Sequence, residues 1–403
     1  MNKNTKFHQP FELVTQKFLS KIQYGELTVK FPSGLVKTFK GNNENYTADL
    51  TINNYKFISK ILKRKSVGFA ESYMDWDFTS SNLTNLLLLA FRNENDFLEN
   101  LKSNIFFNIY SKFKHFLNEN TKSQSKKNIE YHYDLGNKFY TQWLDSSMTY
   151  SSAYFEKENE NLFQAQLNKY QKIAECLNLN ENSEVLEIGC GWGGFSSYAA
   201  KNYKSKIDAI TISKSQFEYA SQKIQKEGLG EKVSIKFKDY RDIDSQYSNI
   251  ASIEMFEAVG KKYWEKYFDV VKNSLVSSGK AALQIITIDE KRSFNYQNQP
   301  DFIQQYIFPG GMLPTKNELS KINKKVGLDF SEIKSFGLSY AKTLNMWNNQ
   351  FQNSWQDLVQ LGFNQRFKRM WEFYLAYCET GFISKSTDVS HFLINKWVKL
   401  KFF

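Results

Sequence analysis

Four of the six residues from 189 to 194 are glycine, and they follow directly on the apolar run of "VLEIGCGWGGF" (185–195). A backbone that bare can turn sharply and come close to another group, because no Cβ stands in the way. Placed between a buried strand and a helix, such a turn aims its N–H groups at a ligand beside the helix N-terminus. The surrounding pattern supplies both elements. A helix in "LFQAQLNKYQKIAECLNL" precedes strand 184–188. Helix 193–202, strand 206–212, helix 215–226, strand 232–237, strand 248–255, helix 260–275 and strand 279–288 follow. That alternation predicts a Rossmann-like α/β fold, an open and mostly parallel sheet with helices on both faces. Beyond residue 300 the chain reads as helical and aromatic.

Ahead of this pattern stands a different unit. "ELTVKFPSGLVKTF" and "NYTADLTI" alternate apolar and polar residues around Pro-Ser-Gly, which reads as a hairpin. "YKFISKILKRK" and "LTNLLLLAFRNENDFLENL" carry helical spacing. Residues 1–117 are therefore expected to form a small α+β domain. Residues 118–130 are polar and free of apolar periodicity and read as a linker, with a second domain over 131–403. The N-terminus lacks the apolar core of a signal peptide. "LTNLLLLAF" (83–91) is far too short to span a bilayer. Cys176, Cys190 and Cys378 fit neither a disulfide framework nor a zinc knuckle, and suit a reducing cytoplasm.

Gly189-x-Gly191-x-x-Gly194 also satisfies the dinucleotide fingerprint. A nicotinamide site, however, needs an acidic residue at the end of the second strand for the ribose hydroxyls. Here Thr211, Ser213 and Gln216 stand there instead. Glu187 before the turn, with Asp239, Tyr240 and Arg241 after the third strand, suits S-adenosylmethionine better.

The formal net charge of +11 reflects either coding bias or attraction to a polyanion. Nucleic acid is a poor fit. The chain contains no Pro-Pro, which amino-directed DNA methyltransferases place after the fourth strand. None of its cysteines follows a proline, as the cytosine-C5 nucleophile does.

Several blocks occur in order: "YHYDLGNKFYTQWLDSSMTYSSAYF" (131–155), the glycine turn, "AITISKSQ", "IEMFEAVGKKYWEKYF", "YIFPGGMLPT" and "FGLSYAKTLNMWNNQF". Together they resemble the cyclopropane-fatty-acyl-phospholipid synthase family, which includes the mycolic acid cyclopropane synthases. The resemblance covers 130–385, and "VGFAESYMDWDF" (67–78) extends it into the N-terminal unit. It implies a class I methyltransferase with helical lid insertions over an acyl-chain tunnel. The implied reaction passes a methyl group from S-adenosylmethionine to a cis double bond of a membrane phospholipid acyl chain, followed by proton loss and ring closure. It also implies a cytoplasmic enzyme held peripherally at the inner, anionic face of the membrane, and allows a homodimer.

The resemblance assigns Tyr150, Ser151, Gly189, Cys190, Gly191, Thr211 and Gln216 to the methyl donor. Glu257, Tyr340 and Ile286 go to a site for a bicarbonate ion that serves as base. Two positions of that site depart. Ser152 stands where the family usually has cysteine, and Gln284 where it has histidine. Both can hydrogen-bond an anion, but Gln284 cannot take up a proton. Methyl- or methylene-branched products, or an acyl-lipid-binding paralogue without turnover, are the alternatives these departures raise. The basic stretch "KILKRK" (60–65) is either a solvated helix face or a contact for anionic lipid.

Overall fold

The computed structural model describes residues 5–94, 122, 124–125, 128 and 135–396. Strands β5 (Glu184–Ile188), β6 (Lys206–Thr211), β7 (Val233–Phe237), β8 (Tyr247–Ile253) and β9 (Leu275–Ile288) form the expected parallel array. Their apolar residues, such as Val185, Leu186, Ile207 and Ile250, are buried, as a parallel sheet covered on both faces requires. Helices α4 (Leu162–Leu177), α5 (Gly194–Tyr203), α6 (Lys214–Lys226) and α7 (Trp264–Ser274) supply the cover. Ser213 starts α6, its hydroxyl accepting from the Gln216 N–H.

Two further strands, β10 (Asp329–Ser335) and β11 (Thr387–Asn395), lie where the sequence reads as helical, and correct that expectation. β11 runs antiparallel to β9 and to β10, completing the order β10-β11-β9-β8-β5-β6-β7. β10 is an edge strand exposed along nearly all of its length, so it has no apolar alternation to find. β11 is central, but Ser390 and His391, though buried, interrupt its apolar run. The strand order reverses at β5, which has β6 on one side and β8 on the other. A crevice opens beyond the carboxyl end of β5 at that point, and the glycine turn lies in it.

The N-terminal unit holds β1 (Tyr24–Lys30), β2 (Val36–Lys40), β3 (Asn43–Ile52) and β4 (Phe78–Thr79), in the order β2-β1-β3-β4. β1 and β2 form the predicted hairpin, and β3 runs parallel to β1. Helix α1 (Thr5–Leu19) precedes them, and α2 (Lys56–Met74) and α3 (Leu83–Arg92) follow β3. Helix α2 is broken at Lys65, where φ is 50° and ψ −128°.

This unit shares one apolar core with α8 (Gly337–Asn353) and α9 (Gln365–Ile383). Buried Arg369 of α9 donates to the carbonyls of Tyr73 and, at 2.7 Å, Phe78. Its guanidinium also stacks on the rings of Tyr73 and Trp76. Most of the expected linker lies outside the described residues, as do His132 and Asp134 of the first block. Of 118–130, Lys122, Gln124, Ser125 and Asn128 are described; all four are helical, and Ser125 and Asn128 are buried.

Candidate active site

The glycine turn lines a pocket of about 160 Å³. At Gly191, φ is +52° and a Cβ would meet no atom of the described residues within 4 Å. At Gly189, φ is +83° and a Cβ would strike the Met255 side chain at 2.6 Å. The turn therefore forms a cradle that any side chain would fill or distort, which fits a ligand pressed against bare backbone. Tyr150, Ser151, Glu187, Cys190, Thr211, Gln216, Asp239, Tyr240 and Arg241, all expected at the cofactor, line the same pocket.

Their partners separate structural from presented groups. Glu187 is fully buried and accepts from the hydroxyl and N–H of Ser196 in the first turn of α5; burial pushes its pKa up to about 7. Thr211 donates to Gln216 Oε1 at 2.9 Å, fixing the pair at the end of β6. Burial alone would raise the Asp239 pKa, but the two-pronged contact with Arg241 outweighs it and holds it below the usual carboxylate range. The Cys190 thiol is buried and pushed well above its ordinary pKa, so it is no thiolate.

Two carboxylates stand at the floor of the site, three residues apart after β8. Glu254 Oε1 accepts from the Ser152 N–H at 2.8 Å and from Gln284 Nε2 at 2.6 Å. Its Oε2 accepts from the Tyr340 hydroxyl at 2.6 Å. Buried Lys169 donates to Ser151 Oγ at 2.6 Å and attracts Glu254, although burial pulls its own pKa down to about 7. Glu257 is served less well. Its Oε1 accepts from the Ile286 N–H at 2.6 Å, and its buried Oε2 has no partner among the described residues. Burial, helped by the charge of Glu254, pushes the Glu257 pKa up to about 8. At neutral pH Glu257 therefore holds its proton. Behind them, His391 of β11 faces Gln284 in register and lies 2.9 Å from its Oε1. An amide oxygen only accepts, so His391 donates from Nε2. Burial holds its pKa near 3, and it is neutral.

Above the carboxylates opens a second cavity of about 1110 Å³, larger than most small-molecule sites. The N-terminal unit lines one side with Leu27, Leu50 and Phe57, and the C-terminal helices another with Leu344, Phe373 and Phe382. Glu257, Ile286 and Tyr340 face it. Tyr150, Glu254 and Ala258 line both cavities, so the glycine-turn pocket and the apolar cavity meet there. Tyr150 donates to or accepts from Tyr374 at 2.7 Å, and its ring lies 5.3 Å from that of Trp347.

Of the residues expected to be catalytic, Ser152 and Gln284 line neither cavity; both are fully buried behind Glu254 and act as its donors. The Ser152 hydroxyl turns away, donating to the Ala153 carbonyl at 2.9 Å. Sequence reasoning missed Glu254, Lys169 and His391. For Glu254 a signal was present, since "SIEMFEAVG" sets two acids three apart directly after a buried strand. A lysine on a helix and a histidine in an unrecognised strand gave none.

Comparison with known proteins agrees with this geometry. The family model described as mycolic acid cyclopropane synthetase matches residues 120–392, and one for a domain of unknown function matches 14–102. The chain is 35% identical to a tuberculostearic acid methyltransferase of Mycobacterium tuberculosis over 331 residues, 80% of this chain and 77% of that one. It is 33% identical to the cyclopropane-fatty-acyl-phospholipid synthase of Escherichia coli over 365 residues, 89% and 90% of the two chains. Among solved structures, the cyclopropane synthase MmaA2 of Mycobacterium tuberculosis superposes with a TM-score of 0.64 at 26% identity, covering 67% of this chain and 98% of that one. The mycolic acid cyclopropane synthase CmaA1 complexed with SAH and CTAB gives 0.64 at 27%, with the same coverage. A switch-point crevice, a bare glycine cradle and an apolar cavity opening onto buried carboxylates thus occur in a chain that belongs to the mycolic acid cyclopropane synthetase family, S-adenosylmethionine-dependent methyltransferases that act on lipids.

Proposed function

We propose that this enzyme transfers the methyl group of S-adenosylmethionine to the cis double bond of an unsaturated acyl chain in membrane phospholipid, giving a cyclopropane ring. The observation that carries the reading is the junction at Tyr150, Glu254 and Ala258, where the glycine-turn pocket opens into a larger, mostly apolar cavity. When bound, S-adenosylmethionine supplies a methyl group on a cationic sulfur. The bare backbone at Gly189 and Gly191 would admit it, Thr211 and Gln216 would hold its ribose, and Tyr150 with Ser151 would hold the end nearest the apolar cavity. An alkene is a weak nucleophile, so the apolar walls must align it with the methyl group and keep water out. The rings of Tyr150, Trp347 and Tyr340 cluster beside the junction, and such faces stabilise a passing cation.

The likeness to the phospholipid synthase, across nine-tenths of that protein, supports the phospholipid substrate. At the membrane, exposed Leu62 with Lys63 and Lys65 at the cavity mouth would meet the anionic inner face. Incubation with labelled S-adenosylmethionine and vesicles of monounsaturated phosphatidylglycerol should label the lipid; a chain that binds the donor but never labels lipid would be a binding protein instead. A second reading, a methyl- or methylene-branched product, is favoured by Gln284 and by the likeness to the tuberculostearic acid methyltransferase. Mild catalytic hydrogenation separates a methylene branch, which takes up hydrogen, from the ring, which does not. A saturated methyl branch also resists hydrogenation, but weighs two hydrogens more.

A further inference from the structure

The groups that would grip an anion beside the reacting carbon already grip one. The Ser152 N–H, the Gln284 amide and the Tyr340 hydroxyl converge on Glu254 at 2.8, 2.6 and 2.6 Å. Among the described residues these contacts take three of the roughly four lone-pair sites of a carboxylate and leave one on Oε2. His391 orients Gln284 for the task, and Lys169 balances the charge. The Glu254 backbone sits at φ 51°, a left-handed conformation that glutamate adopts only at some cost. A carboxylate needed only to tie β8 to its neighbours would not have to line two cavities at their junction, as Glu254 does.

We propose that Glu254 is the general base of the reaction and fills the place the family resemblance gives to bicarbonate. The inference rests on the reading above, that a lipid double bond is methylated at this junction. Addition of the methyl carbon to one alkene carbon leaves the other cationic. A C–H bond of the added carbon then breaks. Its proton passes to Glu254 Oε2, and its electron pair closes the third side of the ring, or forms the π bond of a methylene branch after a hydride shift. The neutral carboxylic acid returns the proton to solvent after product leaves. Burial raises the Glu254 pKa against the pull of Tyr340 and Lys169, which gives it more proton affinity than an ordinary carboxylate.

The test uses the full chain, monounsaturated phosphatidylglycerol vesicles and buffer stripped of carbon dioxide. Wild type should turn over equally with and without added bicarbonate. Glu254→Gly should lose about 10²-fold or more and recover on adding bicarbonate, because it empties the anion site and glycine accepts φ 51° without strain. Glu254→Gln should be equally slow and not recover, since its amide still fills the space. Calorimetry with S-adenosylhomocysteine checks that both variants keep the donor pocket. ¹³C-bicarbonate should bind to Glu254→Gly and not to wild type. A wild type that needs or binds bicarbonate, or a Glu254→Gln variant at full speed, would overturn the proposal. Failure of every form to methylate lipid would instead count against the substrate reading, and the bicarbonate-binding comparison would still decide what occupies the site.

Discussion

Glu257→Gln asks whether one buried carboxylate is neutral. Burial beside the charge of Glu254 carries the Glu257 pKa from 4.5 to about 8. Between those values the folded chain holds a proton that the unfolded chain has released, so folding grows less favourable as pH rises through this window. Below pH 4.5 both states are protonated and nothing is lost. At about 1.36 kcal/mol per pH unit, the cost approaches 5 kcal/mol at the top of the window. Glutamine cannot ionise and escapes it. The variant should therefore gain on wild type in urea unfolding as pH is raised from about 5 to about 8, by several kcal/mol. Glutamine also resembles the protonated acid in shape, so turnover near neutral pH should fall by no more than about tenfold. Parallel stability profiles for the two proteins across the window would refute the assignment of the proton to Glu257.

Other expectations follow from the same structure. Gly191→Val should abolish S-adenosylhomocysteine binding by calorimetry while the circular dichroism of the fold is kept, because the added side chain occupies the cradle. Neutralising Lys63 and Lys65 should weaken co-sedimentation with anionic vesicles by about 1 kcal/mol per charge, and salt should do the same to wild type; binding indifferent to both would remove the basic mouth from the argument. Lys60 and Arg64 should matter less for the membrane, since they pair with Asp75, Asp77 and Glu71 within the chain. Arg369→Met removes two hydrogen bonds and the stacking on Tyr73 and Trp76, and should lower stability by about 2–4 kcal/mol in thermal unfolding without loss of donor binding.

The glycine turn and the alternation around it were legible because each depends on local rules: bare backbone at a ligand, apolar runs in covered strands. The residues expected at the donor came from the strand ends beside the turn and, for Tyr150 and Ser151, from the family resemblance. The base was harder to see, because its identity depends on which carboxylate the fold surrounds with donors. Those donors come from residues 152, 284 and 340, which β-strand register and α8 bring together from separate parts of the chain. Lys169 illustrates the same limit. Its α4 neighbours read as an ordinary amphipathic face, and only packing turns that lysine inward to a place where solvent is excluded.

The broad cavity draws its walls from two sources, and that division has an evolutionary reading. The methyl-transferring half corresponds in extent to the whole of the solved mycobacterial synthases, which cover 67% of this chain. Leu27, Leu50 and Phe57 belong to the additional N-terminal unit. On the proposed reading that this cavity holds the acyl tail, substitutions in the N-terminal unit reshape one of its walls while the reacting groups on the other stretch of chain stay as they were. Grafting the N-terminal unit of a relative onto this catalytic half should alter which acyl chains are accepted before it alters how they are modified.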